Sequence, residues 1–208
     1  MAHKEVSIEE ATKIMGKENI ITPKDLILLK DLAFDFNKNI LPIPFTLCEL
    51  RKKSKDYLLI YGCSKLKNGL STNILNLKKI FGDKPNAKTP CFYFQDWYNN
   101  EEFVNTEMKE GWYFIRKHVY DNSRRILPEE LAKQYVFPSA IQCTYSFFVA
   151  WLVLNKRLWY HDYVWCCDLD HNGDRIYVGK YNDVDGINND GFSIHRHLSL
   201  RSCYGCID

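Results

Sequence analysis

The chain has 208 residues, 46% of them hydrophobic and 14% aromatic, which argues against intrinsic disorder and allows one large domain or two small ones. Its formal net charge is only +2, so bulk charge selects no partner; residues 160–208 nevertheless carry a balance of −4 and the remainder +6, which places any affinity for phosphate or nucleic acid in the front part. No apolar leader opens the chain, and the most apolar run, Ala140 to Leu154, is short for a bilayer and carries Gln142, Thr144 and Ser146, so neither a signal peptide nor a membrane partner is expected. The eight cysteines then read as reduced thiols in a cytoplasm.

In chain order, Ser7 with Glu10 forms a capping box that opens a short helix ending near Gly16. Thr22-Pro23 opens a second helix, with Leu26, Leu29, Ala33 and Phe36 as its core stripe. These two helices have the outline of a helix-turn-helix, but Lys24, Asp25 and Lys30 are not notably basic, and a helical hairpin packed on the domain explains the same pattern. Thr46 with Glu49 caps a third helix, whose Arg51, Lys52, Lys53 and Lys55 form the densest basic cluster and read as a solvated face. Tyr57 to Tyr61 is a short apolar strand, and Ser71 or Thr72 caps a helix that Gly82 stops. Residues 83–90 are a loop and the best internal boundary. Cys91 to Trp97 and Gly111 to Val119 read as strands, and Pro128 opens another short helix. Ser139 with Gln142 caps a long helix, apolar on nearly all sides, that should be covered on both.

Tyr163 to Arg201 reads as a three-stranded antiparallel meander, around which the chain is organised. Asn172-Gly173 suits a two-residue hairpin, which would set Asp170 opposite Arg175 and Asp168 opposite Tyr177. Alternation then gives a core face of Trp165, Cys167, Leu169, Ile176, Val178 and Ile194, interrupted by Arg196. Trp151 and Phe148 of the long helix are expected to bury against Trp165, Val178 and Ile194. The opposite face would carry Asp168, Arg175, Tyr177, His195, His197 and Arg201, with Asp168, Tyr177 and His197 in one row. Histidines can move protons near neutrality, Asp168 and Tyr177 could orient them, and Arg175 and Arg201 could clamp an anion.

Three motifs suggest metals. Asp168, Asp170 and Asn172 precede Gly173 as in the start of a calcium loop, but Gly179 stands where the bidentate glutamate belongs, and an Asn-Gly hairpin explains the same residues. Asp183 to Asp190 is a second acidic loop, at the far end of the middle strand. Cys203-x-x-Cys206 could give two thiolates to zinc, with His171 as the best third ligand. No Walker loop, nucleophile elbow or HExxH is present.

The reading is therefore an α+β fold, a mainly antiparallel sheet with a C-terminal meander packed on a long apolar helix plus N-terminal helices. It is taken as one domain, 1–208, within which an N-terminal helical subdomain, 1–82, and a C-terminal unit, 138–208, can be marked out. The function expected is a cytoplasmic, non-enzymatic binding or interaction module for an anionic ligand or a protein, without a required cofactor. The alternative is a hydrolase of a phosphate ester or other anionic substrate, working through Asp168, Tyr177, His195 and His197.

Overall fold

The computed structural model describes residues 5–35, 40–83, 90–159, 161–179, 191–197 and 204–208. It contains both helices and strands, an α+β architecture, and no helix among the described residues is long and apolar enough to cross a membrane. The first half builds a small mixed sheet. Its central strand β2 (Tyr57–Gly62) is buried at every position, pairs in parallel with β1 (Ile20–Ile21), and pairs antiparallel with β4 (Gly111–Arg116). Helices α1 (Ile8–Met15), α2 (Pro23–Ile27) and α3 (Leu47–Lys53) each begin with a reciprocal capping box, at Ser7/Glu10, Thr22/Asp25 and Thr46/Glu49. Such boxes satisfy amide donors that the first helical turn leaves open.

The sequence stripe through Ala33 overstates α2. After Ile27 the chain closes tighter turns and Ala33 adopts a φ of 43°, so that Phe34 can bridge to Leu66; Phe36 lies outside the described residues. The cap of α4 (Ile74–Phe81) is Asn73 rather than Ser71 or Thr72, because its side chain accepts from the Asn76 amide. Gly82 ends this helix as expected. The strand expected over Cys91–Trp97 reduces to β3 (Cys91–Phe92), and the helix at Pro128 to the single turn α5 (Pro128–Leu131).

The second sheet is also mixed, in the order β3, β7 (Gly191–His195), β6 (Arg175–Gly179), β5 (Tyr163–Leu169), β8 (Tyr204–Gly205). β5, β6 and β7 pair antiparallel in succession, while the two edge strands pair in parallel. Gly191 passes so close to β3 that a Cβ there would lie 1.9 Å from the Tyr93 nitrogen, so only glycine fits the approach. Helix α6 (Ala140–Leu154) touches both sheets. On one side, Tyr145 donates to the Tyr61 carbonyl (3.0 Å) and Ser146 meets the Tyr113 hydroxyl. On the other, Phe148 stacks on Phe81 and Phe92, at 4.2 and 4.8 Å, and lies edge-on to Phe192. Val178 and Ile194 belong to this core; Trp165 does not, and joins a second cluster on the far face of the sheet.

Candidate functional site at the hairpin tip

The β5–β6 hairpin does not take the two-residue turn expected at Asn172-Gly173. Gly173 alone of that pair has positive φ (84°), the Gly173 amide donates to the Asp170 carbonyl, and the Asp170 amide donates to the Asp174 carbonyl. The result is a three-residue loop, His171 to Gly173, that puts Leu169 rather than Asp170 opposite Arg175. A bulge then shifts the register again. Trp165 pairs with Tyr177, so Cys166, Cys167 and Asp168 together face the single residue Ile176. The bulge is held from outside the strand. The Cys167 amide donates to the Pro138 carbonyl, and Asp168 Oδ2 accepts from the Ala140 amide at 2.6 Å, one of the open donors at the start of α6. Burial pushes the Asp168 carboxyl up against that opposing hydrogen bond.

The shift inverts β5 relative to its partners, as an odd slip must. The expected row of Asp168, Tyr177 and His197 is replaced by Trp165, Tyr177 and His195. That face is an aromatic layer. Tyr177 lies 5.1 Å from Trp165, 4.9 Å from Tyr204 and 5.4 Å from the stacked ring of His195, with Tyr163 edge-on to both Tyr177 and His195. Leu131, Phe137 and Cys206 close over it. Arg175, expected to clamp a ligand, braces the bulge instead: its Nη1 donates to the Cys166 carbonyl and its guanidinium lies over Phe137.

Burial lowers the pKa of His195 to about 4. The unfolded chain takes up that proton near pH 6.5, so between these values the unfolded state binds more protons and folding stability falls as the pH drops. The expected loss from this group between pH 6.5 and 4 is up to about 3 kcal/mol. Urea unfolding across this range should show the decline, and His195→Phe, which keeps a ring against Tyr177, should flatten it. An equal slope in the variant would contradict the buried placement.

A different set of charged groups comes together at the hairpin tip. The loop after β3 runs along the free edge of β7, where Gln95 accepts from the Ile194 amide and Trp97 donates to the Ile194 carbonyl. This loop delivers Glu101, which is only 6% exposed. Glu101 accepts from the His171 amide at 2.9 Å and pairs with His171 Nδ1 at 2.7 Å. Arg196, the arginine that interrupts the apolar face in sequence, places Nη1 3.0 Å from Asp170 Oδ2 and 3.5 Å from Glu101 Oε1, with its guanidinium over Trp97. The other oxygen of Asp170 accepts from the Asn172 and Asp174 amides. Burial works against the charge on Asp170, but the Asp174 amide, the Arg196 guanidinium and the Asn172 amide outweigh it and hold the carboxyl below its ordinary range. Beyond this buried set, His197 is exposed, has a φ of 67°, and places Nδ1 2.9 Å from Asp174 Oδ2.

The metal expectations divide accordingly. Glu101, Asp170 and His171 offer ligand atoms within 4.8 Å of one another, so two of the residues considered for metals, Asp170 and His171, do meet. Arg196 already provides the positive charge there. Asp168 is drawn away to α6, so the alternating oxygens of the calcium-like run do not converge. Cys206 and His171 are also apart, because β8 pairs with Tyr163 and Val164 at the start of β5 while His171 follows its end. The expected zinc set is therefore not assembled by these two residues. Arg201, Cys203 and the second acidic loop, 183–190, lie outside the described residues. Cys48, Cys63, Cys143, Cys166, Cys167 and Cys206 are free thiols.

Sequence reasoning missed Glu101 and Trp97. The available signal was Arg196, since an arginine on an apolar face requires a carboxylate partner. Compared with known proteins, the chain matches no family model, no curated protein and no solved structure.

Proposed function

We propose that this chain is a cytoplasmic, non-enzymatic binding module, a single domain whose recognition surface is the tip of the β5–β6 hairpin. The observation that carries this reading is the pair of exposed imidazoles mounted on carboxylates, His171 on Glu101 and His197 on Asp174. When Nδ1 donates to a carboxylate, Nε2 keeps its lone pair and its orientation, which suits it to accept from a ligand donor or to bind a cation. The buried Glu101–Arg196–Asp170 set beneath them favours the same view. A buried ionic set is weak evidence for stability, and one use of such sets is to fix the position of what they support. The hydrolase alternative draws less support, because Asp168, Tyr177, His195 and His197 do not share one open face.

The test is ligand screening by amide chemical shifts on the full chain, with zinc, a library of small hydrogen-bond donors and organic cations, and a phosphate ester as probes. The expected result is saturable shifts at residues 170–174 and 196–197 that vanish in His171→Ala/His197→Ala. Shifts confined to Tyr177 and His195, together with turnover of a phosphate ester that His195→Ala abolishes, would establish the hydrolase instead.

A further inference from the structure

Three segments remote in sequence meet at Asn19, which ends a short turn after α1 and is 8% exposed. Lys117, just past β4, donates to Asn19 Oδ1 at 3.0 Å, and Lys156, just past the left-handed Asn155 cap of α6, donates to the same atom at 3.1 Å. The orientation of the amide is fixed, since its Nδ2 donates to the Met15 carbonyl and to Glu18 Oε1. Both ammoniums thus converge on one neutral oxygen, and their nitrogens lie no more than about 6 Å apart. Among the described residues no carboxylate oxygen comes within 4.0 Å of either nitrogen; Glu18 and Asp56 act on Lys117 only from farther away.

Two cations held this close repel each other, and a neutral amide oxygen does not cancel their charge. Each ammonium has three donors. Lys117 uses one on Asn19, and Lys156 uses two, on Asn19 and on the Glu18 carbonyl, which leaves three N–H groups on the two nitrogens. A compact anion with several oxygens and two charges matches both the donors and the charge. We propose that Lys117 and Lys156, oriented by Asn19, form a binding site for a small phosphate-type oxyanion, such as a phosphate monoester. Burial, followed by the charge of Lys156, holds the Lys117 ammonium below its usual pKa, which accords with a pair of cations awaiting a counter-charge. The site is separate from the hairpin tip and belongs to the positively charged front part of the chain and the end of α6.

The probes are inorganic phosphate and glycerol phosphate, each titrated into the full chain at constant ionic strength with chloride as the balancing anion. The expected result is a saturable shift of the amides of Asn19, Lys117 and Lys156 that chloride does not reproduce. Lys117→Met/Lys156→Met should weaken it by at least about tenfold, the loss expected when charge-assisted hydrogen bonds are removed. Should that variant not fold, Lys156→Gln, at the end of its helix, serves in its place with the same criterion. Shifts matched by chloride, or unchanged in whichever variant folds, would overturn the site.

Discussion

Phe148→Ala is expected to destabilise the protein by about 3–5 kcal/mol, the range for truncating a fully buried aromatic ring. In a chain of this length that lowers the melting temperature by roughly 10 °C. The physical reason is the number of rings that lose a partner. Phe148 is fully buried and lies against Phe81, Phe92, Phe147 and Phe192, which come from α4, β3, its own helix and β7. Surroundings drawn from four elements cannot all collapse into the space left behind. Trp151 is less enclosed, at 8% exposure, with Arg157 over its ring, so Trp151→Ala should cost less. Thermal and urea unfolding of the two variants check this order; an unchanged melting temperature for Phe148→Ala would mean that α6 does not lie against β3 and β7.

Arg196→Met should be comparably damaging for a different reason. It removes the guanidinium between Asp170, whose side chain is 0% exposed, and Glu101, 7% exposed, and leaves two carboxylates buried without their cation. Breaking a buried pair from one side costs about 3–5 kcal/mol, whereas removing all the charges together is far milder. The urea midpoint of Arg196→Met should therefore fall well below that of Glu101→Gln/Asp170→Asn/Arg196→Met. The pH dependence carries a sign that can be checked. The carboxyl of Asp170 is held low in the folded protein, so its contribution to stability is present above the unfolded value near pH 4 and is lost as the pH falls through the folded one. The gap between wild type and Arg196→Met should narrow in acid. A constant gap, or no gap at neutral pH, would show that the ionic set does not support the tip.

What could be read from sequence was local. The capping boxes at Ser7, Thr46 and Ser139 specify helix starts through contacts three residues apart, and all three are observed. The hairpin between β5 and β6 was legible from Asn172-Gly173, but its register was not. That register depends on Pro138 and Ala140, which draw Cys167 and Asp168 out of the ladder from 28 or 29 residues away. Periodicity carries no trace of such a bond, so the polar face deduced from alternation became an aromatic one. At the tip, His171, Asp170 and His197 were recognised as chemically unusual residues, although as members of other constellations. Glu101 was invisible because an acidic residue in a polar stretch looks solvated; only the fold brings it beneath His171.

The claim that function resides at the tip rather than on the sheet face is tested most directly by titrating the histidines in the proton NMR spectrum. The account predicts that His195 stays neutral down to about pH 4, with ring-to-ring contacts to Tyr163 and Tyr177, as its burial requires. A His195 that titrates near pH 6.5 without those contacts would mean that the sheet face is open to solvent, and would return Asp168, Tyr177, His195 and His197 to consideration as the site.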